Sequence, residues 1–200
     1  MRGIIFANGI MDRWPESLEL SPVDDILIAA DGGARHCLAW NLIPDVVVGD
    51  LDSLSGEDLA ALEGKGVEII RHRSRKDETD LELALMIALD RKVGEIVILG
   101  ALGLRWDMTL SNLLLLTSPL LQGVPVSIMD GHEEILCLRG PVEAEFQGSP
   151  GDRLSLIPLG AEASGIDLKG LEYPLEEAVI PPGGTRGVSN VFLGKTAQVS

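Results

Sequence analysis

Six short, β-branched and nearly uninterrupted apolar runs punctuate the first two-thirds of the chain: GIIFAN, DILIAAD, DVVVGD, GVEIIR, GEIVILGA and GVPVSIMDG. A strand with one wet face alternates apolar and polar residues, so continuous runs imply strands covered on both faces of a parallel sheet. Between several of them lie stretches with helical patterning, GARHCLAWN, SGEDLAALEGKG, ETDLELALMIALDRKVG and DMTLSNLLLLTSPLLQG. Strand and helix in turn predict an open, Rossmann-like, mostly parallel α/β domain with right-handed crossovers, over residues 1–131. Ligands of such sheets sit beyond the carboxyl ends of the strands. After Gly131 the rhythm changes. EILCLRGPVEAEFQGSPGDRLSLIPLGAEASGIDLKGLEYPL carries short alternating runs divided by Gly and Pro, with no room for a long helix. This predicts a small antiparallel β sandwich or barrel over residues 132–200, with IPPGGTRG as a loop and VSNVFLGKTAQVS as closing strands.

Charge narrows the function classes. There are 31 acidic and 16 basic residues, a formal charge of −15. Such a chain is a poor match for nucleic acid or an anionic membrane, which are bound mainly through Lys and Arg. If it handles phosphates, a divalent cation is the natural go-between. The aromatic share of 4% argues against a base-stacking platform. Cys37 and Cys137 lack metal spacing and make no disulfide framework, which fits a reducing compartment. The apolar run in MRGIIFANG is too short for a signal peptide or membrane span, and LLLLTSPLLQG is broken by Pro119. The expected location is cytoplasmic.

The acids are not scattered. Asp31 ends ILIAAD, Asp50 and Asp52 end VVVGDLD, Asp77 and Asp80 follow the VEIIR strand, and Arg105 with Asp107 follows EIVILGALGL. Consecutive strand-to-helix connections therefore bring carboxylates to one sheet edge, a partial shell for a hard cation such as Mg²⁺. Each piece also has a structural reading. DGG at 31–33 is a common turn; Thr79 and Glu82 have capping-box spacing; Asp107 suits a helix start. The Asp50/Asp52 pair resists such a reading, because one cap needs one acid and two repel. His36, His72 and His132 have no metal spacing and read as structural. Basic residues near this edge are Arg71, Arg73, Arg75, Lys76 and Arg105, and the run RHRSRK is either a solvated loop or a counter-charge for polyphosphate. No G-x-S-x-G, Walker A or dinucleotide fingerprint occurs. What remains is metal-dependent transfer from a nucleotide to a small hydroxyl compound, in which positioning and charge neutralisation do the work.

In order, DGGA, PDVVVGDLDSL, KDETDLELAL, GALGLRWDMTLSN, LIPLG, GLEYPL and GVSN resemble the thiamine pyrophosphokinase family over nearly the whole chain. The resemblance implies an N-terminal α/β catalytic domain, a C-terminal β domain that helps bind thiamine, and a homodimer in which each β domain completes its partner's cleft. The reaction it implies moves the pyrophosphoryl group of ATP to the thiamine hydroxyl and releases AMP, with Mg²⁺. By position, Asp50, Asp52 and Asp80 correspond to the Mg²⁺–ATP carboxylates and Asp31 to the lining of the same pocket, with Asp77 beside it. Arg105 and Asp107 match the R-x-D pair, the Arg on phosphate and the Asp near metal or acceptor hydroxyl. Lys76 and Asn112 fall on the nucleotide side, Ser189 and Asn190 on the thiamine side. Bacterial relatives commonly read G-G-R-x-D-H, so Leu104 replaces a Gly and Met108 a His; the loop carrying Arg105 is expected to run differently if Leu rejects a positive φ. Relatives often continue past the position of Ser200 into one more strand, so an open edge is expected there. Two rival enzyme readings keep the metal logic, a pyrophosphokinase with a pterin-like acceptor and a sugar-nucleotide transferase. A thiamine-binding homologue without catalysis is the non-enzyme alternative.

Overall fold

The computed structural model describes residues 1–73 and 77–200, and the chain forms two compact units, Met1–Cys137 and Leu138–Ser200. In the first unit the expected strands are β1 (Arg2–Phe6), β2 (Asp25–Ala30), β3 (Val46–Gly49), β4 (Glu68–Arg71), β5 (Glu95–Leu99) and β6 (Val126–Asp130). The helices are α1 (Gly33–Ala39), α2 (Gly56–Gly64), α3 (Asp80–Asp90) and α4 (Trp106–Leu115). These strands are parallel and, with a seventh, β7 (Glu133–Leu136), lie in the order β4-β3-β2-β1-β5-β6-β7. The order reverses between β1 and β5, which is where an open sheet of this type leaves a crevice beyond its carboxyl ends.

Both faces of this sheet are covered, and that explains the unbroken apolar runs. Ile5, Ile28, Val46, Val48, Ile96 and Ile98 pack with Leu81, Ala84, Leu85 and Ala88 of α3 on one side. Their chain neighbours Ile4, Phe6, Ala29, Val47, Val97 and Leu99 pack with Ala34 and Cys37 of α1 and Leu62 of α2 on the other. Each fully buried Ile, Leu or Phe contributes about 1.5–3 kcal/mol of transfer free energy, so the register of every strand is held from two sides. The seventh strand, β7 (Glu133–Leu136), turns back at Gly131 (φ +58°) and pairs antiparallel with β6. The first unit thus runs to Cys137, whereas the change of rhythm in the sequence suggested a limit at Gly131. A half-exposed edge strand has the alternation of an antiparallel sheet, which is why the pattern changes before the unit ends.

The second unit is all β. Strands β8 (Ala144–Gln147), β10 (Ala163–Lys169), β11 (Leu175–Ile180) and β13 (Thr196–Val199) form a four-stranded sheet in the order β11-β10-β13-β8. Strands β9 (Arg153–Leu154) and β12 (Asn190–Val191) pair separately. Leu168, Leu171, Ile180, Phe192 and Ala197 are central to its core. No helix among the described residues is long and apolar enough to cross a membrane.

Candidate functional site

β2 and β3 deliver their acids through unusual backbone. Asp31 follows β2 at φ +46°, and Leu51 lies between Asp50 and Asp52 at φ +64°. Non-glycine residues pay for a left-handed conformation, and such positions concentrate where a side chain must be aimed. Gly49 precedes Asp50 at φ +149°; a Cβ there would come within 2.9 Å of the Asp31 Cβ and 3.1 Å of an Asp80 carboxylate oxygen. Only glycine lets the end of β3 lie between those two acids.

One oxygen each of Asp31, Asp50 and Asp52 lies within 4.8 Å of the others, the group of potential metal-ligating side chains among the described residues. Asp31 is 5% exposed. Its Oδ2 accepts a short hydrogen bond from the Ser53 hydroxyl, while its Oδ1 is buried without a partner. Leaving a buried carboxylate oxygen unsatisfied is costly unless a ligand completes it. The Asp52 N–H donates to Asp50 Oδ1 at 3.3 Å, so the backbone offsets part of the repulsion within the pair. This donor set, hard oxygen on short side chains with one buried acceptor open, suits a divalent cation.

Asp80 opens α3 and flanks Gly49, but the three-acid group contains Asp31 rather than Asp80. The cap of that helix is Thr79, whose hydroxyl accepts from the Glu82 N–H at 3.2 Å, so the capping spacing in KDETDLE is used as such. Asp77 is exposed and outside the group. Arg71 reaches Glu63 at 3.9 Å, and Arg75 and Lys76 lie outside the described residues.

Arg105 and Asp107 are found on each other. The guanidinium donates through Nε at 3.1 Å and Nη2 at 2.5 Å to the two carboxylate oxygens, with both side chains open to water. That hydrogen bond holds the Asp107 carboxyl below the usual carboxylate range and raises the Arg105 guanidinium. Leu104 takes the positive φ after all, at +59°, following Gly103 at +82°. The loop is tied by Thr109, whose hydroxyl accepts from the Gly103 N–H at 3.0 Å, and by Asn112, whose amide donates to the Ala101 carbonyl at 2.7 Å. Asn112 is 6% exposed and therefore acts beneath the loop as its anchor.

Three contributors were not legible in the sequence. Asn8, two residues past the buried end of β1, donates to the Ser53 hydroxyl at 3.4 Å and accepts from Arg35 at 3.0 Å. Ser53 and Arg35 complete that set. The available signals were positional: Arg35 stands four residues beyond Asp31, and Asn8 follows a strand beside the crevice. His36 is structural, as expected, its Nε2 meeting the Gly9 carbonyl at 3.0 Å.

In the second unit Ser189 is exposed at φ +59°, its N–H donating to the Ser155 hydroxyl at 3.0 Å. Asn190 is buried and holds Tyr173 in both directions: its Oδ1 accepts from the Tyr173 N–H at 2.9 Å and its Nδ2 donates to the Tyr173 carbonyl at 2.7 Å. It thereby shapes one wall of a cleft of about 490 Å³ also lined by Glu172, Tyr173, Leu175, Arg186 and Val188.

The family model described as "Thiamin pyrophosphokinase, catalytic domain" matches residues 19–128, and that described as "Thiamin pyrophosphokinase, vitamin B1 binding domain" matches residues 142–200. Over 190 residues, 94% of this chain and 88% of the relative, the sequence is 28% identical to thiamine pyrophosphokinase of Bacillus subtilis (strain 168). The crystal structure of a thiamine pyrophosphokinase from Bacillus subtilis superposes with a TM-score of 0.89 at 26% identity, covering 100% of this chain and 94% of that one. That of a thiamin pyrophosphokinase family protein from Enterococcus faecalis gives 0.81 at 29% identity, covering 100% and 93%.

Proposed function

For this chain, which belongs to the thiamin pyrophosphokinase family and is thereby a transferase, we propose transfer of the pyrophosphoryl group of ATP to the hydroxyl of thiamine. The products are thiamine diphosphate and AMP. The observation that carries this reading is that the acid group at the carboxyl edge of the sheet contains the buried Asp31, one of whose oxygens, Oδ1, has no partner. Asp31, Asp50 and Asp52, with Asp80 alongside, would hold Mg²⁺. The bound ion would neutralise the polyphosphate and leave two of its carboxylates no longer in net repulsion.

The chain's own residues supply the rest. Ser53 holds the rotamer of Asp31 by donating to Oδ2, which leaves Oδ1 buried and without a partner. Arg105 carries a planar fork matched to phosphate, and Asn112 anchors its loop. When that fork moves from Asp107 onto phosphate, the carboxylate loses the hydrogen bond that depresses its proton affinity. Asp107 is then the more able to take the proton of the acceptor hydroxyl, whose oxygen bonds to the β-phosphorus as the bridge to the α-phosphate breaks. The cleft beside Tyr173 and Asn190 is the acceptor side, with Glu172 suiting the positive charge of a thiazolium ring. The protein works in the cytoplasm as a homodimer.

Incubation with thiamine and Mg²⁺–ATP, with products identified by mass spectrometry, tests the reading. Thiamine diphosphate with AMP is expected. ADP would mean ordinary phosphoryl transfer, a glycosylated product would mean sugar transfer, and tight thiamine binding without product would mean a binding protein. Each of these outcomes overturns the proposal.

A further inference from the structure

Arg35 and Arg105 both stand at the crevice edge of the first unit, and their donors are committed differently. Arg105 is matched to Asp107. Arg35 is exposed, has no ion pair among the described residues, and is held only by the neutral side-chain oxygen of Asn8, at 3.0 Å. A guanidinium has donors and no acceptor, so the atom of Asn8 facing it must be the carbonyl oxygen. The Asn8 amide group therefore faces Ser53, whose oxygen lies 3.4 Å away. The Ser53 hydroxyl has one proton and two carboxylate neighbours, and the much shorter contact sends it to Asp31 Oδ2. Asp52 Oδ1, also 3.3 Å from that hydroxyl, then receives no proton from it and keeps its lone pairs for a cation. One directional chain, Arg35 to Asn8 to Ser53 to Asp31, thus ends on the carboxylate with the unpartnered buried oxygen.

Packing keeps the chain in place. A Cβ at residue 32 would collide with the Asn8 side chain, so the glycine after Asp31 gives Asn8 its room. The carbonyl of Gly9 is held by His36, and the Gly9 N–H donates to the Gly100 carbonyl at 2.6 Å. Asn8 therefore projects from a fixed backbone at the point where the strand order reverses.

Resting on the pyrophosphoryl-transfer reading above, we propose that Arg35, oriented by Asn8, is a nucleotide-binding residue that takes the polyphosphate beside the acid group. An arginine held two hydrogen bonds from Ser53, close to three carboxylates yet paired with none, offers its remaining donors to an anion brought there with a cation. Asn8 is a positioning residue: it sets the direction of Arg35 without touching phosphate.

Isothermal titration of Mg²⁺ with α,β-methylene-ATP, which this chemistry cannot cleave, tests the proposal, with AMP as the probe that lacks the polyphosphate. Arg35→Ala and Arg35→Gln should each weaken the analogue about tenfold, the scale of one charge-assisted hydrogen bond, and leave AMP unchanged. Arg35→Lys should recover part of the loss. Asn8→Ala should weaken the analogue about threefold in the wild type and hardly at all in Arg35→Ala, because the two act through one contact. Melting temperatures of these exposed-site variants should stay at the wild-type value. Analogue binding within twofold of wild type in both Arg35→Ala and Arg35→Gln, or equal losses for analogue and AMP, would overturn the proposal. With Asp52→Asn losing the analogue in the same series, that result would leave the pyrophosphoryl-transfer reading standing. Failure of the wild type to bind the analogue at all would overturn both.

Discussion

Strand β2 begins on one aspartate and is followed directly by another, and the two are opposites. At the amino end Asp25 accepts from Arg2 Nε at 3.0 Å and Nη2 at 2.9 Å, and from the Ser21 N–H at 2.8 Å. Both its oxygens are satisfied, and its side chain is 3% exposed. At the carboxyl end Asp31 has one oxygen on Ser53 and the other buried with nothing. Backbone cost differs as well: Asp25 lies in regular strand, while Asp31 takes φ +46°. Two buried carboxylates on one strand therefore separate by how completely the protein answers them. The answered one serves the fold, and the unanswered one is left for a ligand.

The sharpest break of this contrast is the isosteric pair of substitutions. Asp31→Asn keeps an acceptor for Ser53, puts a donor where the open oxygen was, and removes one negative charge from the group with Asp50 and Asp52. Turnover with Mg²⁺–ATP and thiamine should fall by about 10²-fold or more, as when one preorganised electrostatic contact is lost. Stability without metal should hold or rise, because a repulsion is relieved. Asp52→Asn should behave the same way. Asp25→Asn should do the reverse, lowering unfolding free energy by about 2 kcal/mol through the orphaned Arg2, discounted because that guanidinium is partly wet. Steady-state kinetics and urea unfolding on the same samples decide it; parallel losses in both variants would erase the distinction.

Acid supplies a finer break. Burial pushes the Asp25 carboxyl up, but the Arg2 and Ser21 hydrogen bonds together outweigh it and leave the group below its ordinary value. A carboxyl lowered on folding adds stability that is whole above the unfolded value, about 3.9, and is lost as pH falls through the lower folded one. The stability gap between wild type and Asp25→Asn should therefore be constant from neutral pH to about pH 4 and close below it. Urea midpoints against pH measure this; a gap that instead widened toward acid would mean that Asp25 is held protonated.

Much of this was open to sequence reading, and the limits have physical causes. The two-sided burial of Ile4/Ile5 and Val46–Val48 wrote continuous apolar runs, so the α/β order was plain. The acids were legible because like charges at a strand end lack a folding rationale. Asn8 was not, since a neutral amide at a strand end carries no charge pattern and its role depends on Arg35 and Ser53, 27 and 45 residues away. Nor was the closeness of Asp31 to the Asp50/Asp52 pair, with Asp80 on the other side of Gly49, which depends on glycine geometry at the end of β3. The edge strand β7 was assigned across the boundary because its local alternation is that of the second unit.

The smallest expected effect comes from a further non-glycine in left-handed conformation, Leu104, at this sheet edge. Leu104 was expected to divert the Arg105 loop; it instead adopts φ +59° while 73% exposed. A left-handed leucine costs about 1–2 kcal/mol, and glycine there would forfeit about 0.5–1 kcal/mol of that to unfolded-state entropy. Leu104→Gly should therefore raise stability by a net of about 0.5–1 kcal/mol. The loop shape should persist, because Arg105 N–H donates to the Gly103 carbonyl at 2.8 Å and Thr109 holds Gly103 from the other side. Turnover should consequently stay within about twofold, well short of the one-contact losses that follow removal of an aimed charge. This separates strain that aims a carboxylate from strain that is merely tolerated: the same relief at Asp31 would remove the acid itself. A fall in the urea midpoint of Leu104→Gly would show that the leucine side chain contributes packing worth more than its backbone costs. A large change in turnover would show that the strain at Leu104 sets the reach of Arg105.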